Sequence, residues 1–293
     1  MKRAIALGVF DGLHKAHTAV LAACCDMGTA AGMTPAALLF PVHPMTLLNG
    51  EAPPQLLADE ARNEMLQGMG LELLFMPFEE IHNLPPEEFF AEILVRRLNA
   101  GAVCCGYHYH FGKKAQGDAA LLRRLCEQYG LQYRIVPKME YQGQAISATR
   151  IRAALEEGRL ADANVMLGRP FGYIMKVVEG AKIGRTLGAP TLNQVFRPGF
   201  CVPKYGVYGS EAFVEGRWQA SITNIGLRPS VDKKLKLHSE THVLGYEGDL
   251  YGQNIPVRLL RFLREERKFQ SIEELKQQIR TDIDAMKGRK DSQ

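Results

Sequence analysis

The chain has 293 residues, of which 46% are hydrophobic and 23% are charged, and its formal net charge is +4. This length predicts two domains, and the ordinary composition, without repeats or low-complexity tracts, excludes fibrous and disordered classes. Residues 1–150 carry 13 basic and 15 acidic side chains and residues 151–293 carry 23 and 17, a mild excess without a Lys/Arg block that argues against nucleic-acid binding.

Cysteine usage and hydropathy indicate the cellular compartment of the protein. Six cysteines occur without CxxC spacing in a chain too long to need disulfide staples, which predicts reduced thiols in the cytoplasm. The N-terminal apolar run is cut short by Asp11 and has no small-residue cleavage site. No run approaches the roughly 18 apolar residues of a membrane span. We therefore predict a cytoplasmic protein that does not contact a membrane.

In the first half, up to about Pro137, short apolar segments alternate with amphipathic ones. The predicted strands are AIALGVF, TPAALLF, LELLFMPF, AGAVCCG and QYRIVP, and the predicted helices are AHTAVLAACCDMGTAAG, DEARNEMLQGMG, PEEFFAEILVRRL and DAALLRRLCEQYG. Gly32, Gly70 and Gly130 suit helix C-caps, and Pro86 suits a first helical turn. The alternation predicts a Rossmann-like α/β domain, a parallel sheet covered by helices.

The composition changes after two short predicted helices in ISATRIRAALEEGRLADANVMLG. From Gly168 the chain turns to aromatic and β-branched segments: GYIMKVVE, GVYGSEAFV, WQASITNIG, SETHVLGY and IPVRLLRFL. Their spacing predicts a small antiparallel β-barrel. Ser271 and Glu274 form a capping box ahead of a closing helix. We therefore predict an α/β domain over residues 1–167 and a β domain with a C-terminal helix over residues 168–293.

The segment GVFDGLHKAH joins the first predicted strand to the first helix. Gly8 and Gly12 let the backbone approach a phosphate at the carboxyl edge of the sheet, where the helix start supplies N–H donors. His14 and His17 lie one helical turn apart and can stabilise charge on a departing pyrophosphate. We assign these residues and Asp11 to a nucleotide-binding turn, although an HxxH pair alone is more often a surface pair.

A later segment, SATRIR, starts at Ser147. The hydroxyls of Ser147 and Thr149 and the guanidinium of Arg152 suit ATP phosphates near a helix start. Together the two segments resemble the nucleotidyltransferase superfamily with HxGH and Ser-x-Thr-x-Ile-Arg motifs. FPVHP, YHYHFGKKAQGD and LGRP extend the resemblance to the bacterial bifunctional riboflavin kinase/FAD synthetase family. It implies AMP transfer from ATP to FMN, with His14 and His17 on the triphosphate and the SATRIR residues completing the nucleotide site.

Four segments depart from that family's pattern. Ala16 stands where the family has the glycine of HxGH, and its methyl group narrows the approach to the nucleotide. On the flavin side, His108 replaces a carboxylate or amide and Tyr109 replaces a Phe. One proline of FPVHP is displaced, and Val9 stands where many members carry Asn. These departures bear on adenylyl transfer more than on the fold.

The β-rich half opens with VEGAKIGRTLGAPTLN. Its glycines permit a tight loop, and its cations can neutralise phosphates. Thr191 and Asn193 offer a hydroxyl and an amide oxygen to Mg²⁺. Alone, this loop is more often a simple turn, PTLN a hairpin turn, and Glu240 an exposed edge residue. The predicted phosphate-binding residues are Gly180, Lys182, Gly184 and Arg185.

The order of motifs in this half resembles the riboflavin kinase module throughout: Gly-Arg loop, Pro-Thr-x-Asn, Asn-Ile-Gly-x-Arg-Pro, Glu-Thr-His, Asp-Leu-Tyr-Gly, Arg-x-Glu-x-x-Phe. The resemblance implies phosphoryl transfer from ATP to the riboflavin 5′-hydroxyl. Thr191 and Asn193 would position Mg²⁺, and Glu240 would accept the hydroxyl proton. Lys182 and Arg185 would cover the phosphates.

The function implied is flavin cofactor synthesis, riboflavin to FMN in the second domain and FMN to FAD in the first, with ATP as co-substrate. Two alternatives stay open from the residues: a riboflavin kinase with a degenerate first domain, and a flavin-binding regulatory protein without turnover. The trio Thr191, Asn193 and Glu240 argues against the regulatory protein, because binding alone does not need it.

Overall fold

The structure is a computed structural model that describes residues 1–179, 191–229, 235–267 and 269–287. Chain packing divides it into two units, Met1–Ala148 and Thr149–Gln293. The predicted domain boundary between residues 167 and 168 stays a prediction. Four predicted site residues lie outside the described residues: Gly180, Lys182, Gly184 and Arg185.

A five-stranded parallel sheet forms the first unit, in the order β3-β2-β1-β4-β5. The strands are β1 (Arg3–Leu7), β2 (Thr34–Leu39), β3 (Glu72–Phe75), β4 (Ala100–Gly106) and β5 (Gln132–Val136). The chain winds outward from β1 to β3 and then returns to the other side of β1 with β4. The loops that leave β1 and β4 diverge at this reversal, which opens the crevice where ligands of such sheets bind.

Helices cover both faces of this sheet, as predicted. They are α1 (Lys15–Ala30), α2 (Pro44–Asn49), α3 (Asp59–Gly68), α4 (Phe78–Ile81), α5 (Pro86–Glu88), which continues in π-type turns over Phe89–Arg97, and α6 (Ala119–Tyr129). The predicted C-cap glycines at 32, 70 and 130 have positive φ. A short hairpin, β6 (Glu140–Tyr141) with β7 (Gln144–Ala145), follows β5.

The two faces of the sheet are packed with side chains of different size. On β1, Ile5 and Leu7 pack with large side chains of the helical turns before β4, such as Phe90, and with side chains of α6. Ala4 and Ala6 face α1 and α3 on the other side. The small side chains let α1 pack closely over β1 and β4. This packing holds the start of α1 at the carboxyl edge of the sheet, beside the crevice.

The second unit contains a closed barrel of described strands in the order β10-β11-β12-β9-β8-β13. They are β8 (Phe171–Val178), β9 (Thr191–Val195), β10 (Gly206–Val214), β11 (Arg217–Pro229), β12 (Leu235–Val243) and β13 (Asn254–Arg264). Helices α7 (Ala148–Glu156) and α8 (Leu160–Leu167) precede the barrel, and α9 (Ile272–Lys287) follows it. The predicted fold class, an α/β domain followed by an antiparallel barrel and a C-terminal helix, is confirmed.

One strand of the barrel, β9, was not predicted. We interpreted PTLN as a turn if taken alone, whereas Thr191–Val195 pairs with both β12 and β8. The segment is short, and Asn193 and Gln194 interrupt the apolar, β-branched signature of a strand. Both are buried in the structure. Tertiary pairing has overridden weak local propensity, and it moves the predicted metal residues from a turn onto a strand.

Hydroxyl groups that bond to one another line part of the barrel lumen. The oxygen of Thr223 lies 2.7 Å from that of Ser210 and 2.8 Å from that of Thr241. Ser239, two residues before Thr241 on β12, is also buried in the lumen. Side chains alternate across a strand, so Glu240 between them points outward. Because the network holds the neighbours of Glu240 in the lumen, the side chain of Glu240 points to the outside of the barrel.

Helix α9 starts with the predicted capping box and is tied to β13. The backbone N–H of Glu274 donates to Oγ of Ser271 at 3.1 Å, and the Glu274 carboxylate accepts from the N–H of Gln270 at 2.9 Å. Arg264 forms a bidentate ion pair with Asp282, whose exposed fraction is 4%. Within the described ranges, none of the helices has the length and hydropathy of a membrane span.

Candidate active sites

The chain leaves β1 through a turn with a left-handed backbone. Phe10, Gly12 and Leu13 have φ values of 55°, 75° and 42°, which non-glycine residues adopt only where their surroundings hold them. Phe10 and Leu13 are anchored by burial. A Cβ on Gly12 would lie 2.9 Å from the Leu56 side chain. Position 12 therefore needs glycine both for its φ and for the close approach of Leu56.

Asp11 and Gly8 also shape this turn. Oδ1 of Asp11 accepts a hydrogen bond from the backbone N–H of Leu56, at 3.1 Å. A Cβ on Gly8 would lie 3.1 Å from the ring of Phe10. These contacts make both residues part of the scaffold of the turn. Their predicted contact with a nucleotide stays a prediction.

The two histidines of the turn stack on each other. His14 is the N-cap of α1, and its Nδ1 accepts a hydrogen bond from the backbone N–H of His17 at 3.3 Å. The ring centroids are 3.7 Å apart with an interplanar angle of 18°. Because Nδ1 of His14 accepts, the proton of its neutral ring is assigned to Nε2, which becomes a donor. Ala16 lies between them in the first turn of α1.

His17 is held in its neutral form. Its pKa lies well below 6.5, chiefly because burial disfavours the charged ring and also because His14 and His108 repel a further positive charge. The backbone of Asp11 opposes this shift. Nδ1 of His17 is buried, and no described residue bonds to it. A neutral imidazole has one N–H group, so His17 can donate to a phosphate oxygen only when the proton is on the ring nitrogen that faces the phosphate.

The turn after β4 carries His108, and β4 lies beside β1 in the sheet. His108 is near enough to His17 to lower its pKa, so the predicted flavin-side residue lies close to one of the predicted triphosphate residues. Its ring lies 4.6 Å from that of Tyr107. Tyr109 instead packs on Phe111, with centroids 5.9 Å apart. The departure at Tyr109 therefore keeps a packed aromatic, whereas His108 changes the polar surface of the crevice.

We expect stability to decline as the pH falls below about 6.5, with His17 contributing to the decline. Because its pKa is lowered in the folded chain, the unfolded chain binds a proton in this range that the folded chain does not. The contribution is absent above pH 6.5 and grows as the pH falls. The Tm measured between about pH 8 and pH 5 reports this contribution of His17 to stability. The Tm of His17→Gln should fall less than that of the wild type, and equal declines would contradict the neutral state of His17.

The SATRIR residues lie at the start of α7. Ser147 immediately precedes the helix and belongs to the first unit, whereas Thr149 and Arg152 are helical and belong to the second. Ile151 is fully buried, so the apolar side of this segment serves the core. Contact of the two hydroxyls and the guanidinium with a nucleotide stays a prediction.

The second candidate site is a row of polar side chains that the strand register of the barrel brings together. Asn193 of β9, Glu240 of β12 and Asn224 of β11 stand directly opposite one another, and Thr191 stands opposite His242. Opposed residues share a face, with Cβ atoms about 4.5–5.5 Å apart. This face is the outward one. The structure therefore brings together the predicted metal residues and the predicted catalytic carboxylate, and adds Asn224.

The oxygens of this row fit Mg²⁺. Nδ2 of Asn193 donates to the carbonyl oxygen of Thr191 at 3.3 Å, which leaves Oδ1 of Asn193 as an acceptor. Hydroxyl and amide oxygens are hard ligands, and Mg²⁺ in such sites keeps waters and binds substrate phosphates. Among the described residues, no group of three or more His, Cys, Asp or Glu could hold a metal. Mg²⁺ held by the oxygens of Thr191 and Asn193 would take its remaining ligands from waters and substrate phosphates.

Asn224 and Glu266 were not predicted as site residues, although their motifs were recognised. Nδ2 of Asn224 donates to Oε1 of Glu266 at 2.8 Å. A Cβ on Gly226 would overlap the Glu266 carboxylate. The one available signal was the glycine two residues after Asn224 in a strand, where a missing side chain often marks close approach.

Comparison with known proteins covers both units. Residues 1–150 match the family model described as FAD synthetase, and residues 167–289 match the one described as riboflavin kinase. The bifunctional riboflavin kinase/FMN adenylyltransferase of Pseudomonas fluorescens is 32% identical over 284 residues, covering 96% of this chain and 91% of the relative. The enzyme of the same description from Escherichia coli strain K12 is 32% identical, covering 95% and 90%.

A solved structure shows the same fold over nearly the whole chain. It is the crystal structure of a Streptococcus pneumoniae protein described as a macrolide-efflux protein, with a TM-score of 0.88 and 27% sequence identity. The similarity covers 98% of this chain and 94% of that one. The α/β unit and the barrel therefore occur together in a second chain of similar length.

Proposed function

Because the chain belongs to the family of bifunctional riboflavin kinase/FMN adenylyltransferases, and therefore makes FMN from riboflavin and FAD from FMN, we propose that the turn after β1 carries adenylyl transfer and the β9–β12–β11 row carries phosphoryl transfer. ATP is the co-substrate. The observation that carries this assignment is the register that sets Glu240 beside Asn193. Two motifs far apart in the sequence meet there on one face.

In the kinase reaction, the riboflavin 5′-hydroxyl oxygen bonds to the terminal phosphorus of ATP, the bond to ADP breaks, and the hydroxyl proton passes to a base. Glu240 is the proposed base, because its carboxylate projects outward from a strand that lumen hydroxyls hold in place. Thr191 and Asn193 are the proposed ligands of Mg²⁺, which when bound neutralises phosphate charge. By resemblance to the family, Lys182 and Arg185 cover the phosphates.

In the adenylyl transfer, a phosphate oxygen of FMN bonds to the α-phosphorus of ATP and pyrophosphate departs. The attacking oxygen is already anionic, so this step needs donors for the leaving group rather than a base. Nε2 of His14 and the neutral ring of His17 are the proposed donors, and the start of α1 adds a partial positive charge. Ser147, Thr149 and Arg152 complete the nucleotide site by resemblance to the family.

Two finer assignments belong to this proposal. The hard oxygens of Thr191 and Asn193 support Mg²⁺ as the metal. All six cysteines are free thiols, which supports a reducing compartment, the cytoplasm.

Two separate mixtures test the assignment of one reaction to each site. Pure protein is incubated with ATP and Mg²⁺ and either riboflavin or FMN, and FMN and FAD are quantified by chromatography over time. We expect FMN, followed by FAD, in the first mixture and FAD in the second, and excess chelator should stop both. FMN without FAD would mean that the first unit, with Ala16 and His108, is inactive, which would contradict the proposed role of His14 and His17.

A further inference from the structure

Two segments that play no part in the chemistry above meet beside Glu240. Asn224 and Gly226 lie on β11, and Glu266 follows β13. Nδ2 of Asn224 donates to Oε1 of Glu266 at 2.8 Å. The carboxylate of Glu266 fills the space left by the missing side chain of Gly226, because a Cβ there would overlap it. Two independent contacts thus hold Glu266 against β11.

The carboxylate decides which way the Asn224 amide faces. An ionised carboxylate only accepts hydrogen bonds, so the amide nitrogen must face Glu266 and Oδ1 must face away from it. Oδ1 is buried, and no described residue donates to it. Buried acceptors without a donor are destabilising, and folded proteins keep few of them. Among the described residues this oxygen keeps its accepting capacity, so a bound ligand can donate a hydrogen bond to it.

The position of Asn224 indicates which donor that is. Asn224 stands directly opposite Glu240, which stands directly opposite Asn193. Side chains opposed in this way are neighbours on one face of the sheet. The unsatisfied oxygen is therefore next to the carboxylate proposed to take the proton of the 5′-hydroxyl. The groups of riboflavin nearest that hydroxyl are the other hydroxyls of its polyol chain, and each can donate.

We propose that Oδ1 of Asn224 accepts a hydrogen bond from a polyol hydroxyl of riboflavin, and that Glu266 is a positioning residue that keeps the amide in its accepting orientation. This inference rests on the proposed assignment of the kinase site to Glu240. It makes Asn224 a determinant of specificity for flavins with hydroxyls beside the one that is phosphorylated. A site built to pair a hydroxyl discriminates against an analogue that lacks it.

A pair of substrates isolates this contact. Riboflavin is compared with a flavin that carries a 5-hydroxypentyl chain, which keeps the reacting hydroxyl and lacks the others. In Asn224→Leu, a variant of similar size, we expect kcat/KM for riboflavin to fall about tenfold, mainly through KM, the scale of one hydrogen bond to a buried partner. The kcat/KM for the 5-hydroxypentyl analogue and the KM for ATP should stay unchanged. Quenching of flavin fluorescence measures the same loss in binding without turnover.

Two further variants test the positioning role without changing Asn224. Gly226→Ala places a methyl group where the Glu266 carboxylate lies and should displace it. Glu266→Gln can donate as well as accept, so the Asn224 amide no longer has one preferred orientation. Both should reduce the preference for riboflavin over the analogue, by less than Asn224→Leu does. Glu265→Gln is the matched control, because Glu265 pairs with Lys204 at 2.8 Å instead.

The FMN-to-FAD reaction of the same preparations reports folding and active concentration. Equal losses with riboflavin and the analogue in Asn224→Leu would overturn the proposal. A raised Mg²⁺ requirement with unchanged preference would overturn it too, because Asn224 would then hold a metal-bound water. Failure of the kinase assignment is distinguishable, since Glu240→Gln would then keep full turnover with both flavins whatever Asn224→Leu does.

Discussion

Glu240→Gln is expected to lower kcat for FMN formation by about 100-fold or more, the scale of general base catalysis, while FAD formation from FMN continues at the wild-type rate. Glutamine has the size of glutamate and keeps the outward position on β12. The lumen hydroxyls of Ser239 and Thr241 are untouched, so the strand stays in register. The variant removes only the group that we propose as the acceptor of the hydroxyl proton.

Chromatography of the riboflavin mixture measures this effect, with KM for riboflavin and ATP determined alongside kcat. Glu215→Gln is the control, since Glu215 lies in the exposed turn between β10 and β11. A loss confined to kcat supports a chemical role for Glu240. Wild-type kcat in Glu240→Gln would remove Glu240 as the base and leave orientation of ATP as the role of this row.

The α/β unit could be predicted because its determinants are local. Its strands are short, mostly apolar runs, α1 and α6 begin with side-chain caps, and the alternation of strands and helices indicates a parallel sheet. The same reasoning placed His14 and His17 at the carboxyl edge, since the turn directly follows β1. The approach of His108 to His17 could not be derived locally, because it depends on β4 lying beside β1.

The barrel shows where local reasoning ends. β9 has little strand propensity and exists because β8 and β12 pair with it. The row of Asn193, Glu240 and Asn224 depends on the register of three strands, and a shift of one residue would turn each side chain to the other face. The contact of Asn224 with Glu266 joins positions 42 residues apart. A motif can name such residues, but only the paired strands show which of them meet.

The departures at Ala16 and His108 fall within one crevice. Ala16 adds a methyl group in the first turn of α1, at a position that lies between His14 and His17 in the sequence. His108 adds a third imidazole that is near enough to contribute to the lowered pKa of His17. A neutral His17 can act only through its N–H group, without a full positive charge. If His17 is the proposed donor, it acts through hydrogen-bond geometry alone, and a substitution there should have a large effect on adenylyl transfer.

His17→Ala is expected to reduce kcat for FAD formation from FMN by about 100-fold or more, the effect of removing one donor to a developing oxyanion. Phosphorylation of riboflavin should persist, because Thr191, Asn193 and Glu240, which we propose for the kinase reaction, lie on barrel strands. His17 is a cleaner target than His14, whose ring also caps α1 and whose loss would destabilise the helix by about 1 kcal/mol. FAD and FMN are quantified in the two mixtures, with Tm measured for each protein.

Two further variants serve as a control and as a test of rescue for His17→Ala. His82→Ala changes a histidine at the end of α4, in a connection that follows edge strand β3, and should leave both reactions unaffected. His17→Gln restores an uncharged N–H donor and should recover part of the lost rate, since the wild-type ring is neutral. Wild-type FAD formation in His17→Ala would exclude His17 as a donor and leave the start of α1 and His14 to stabilise the departing pyrophosphate.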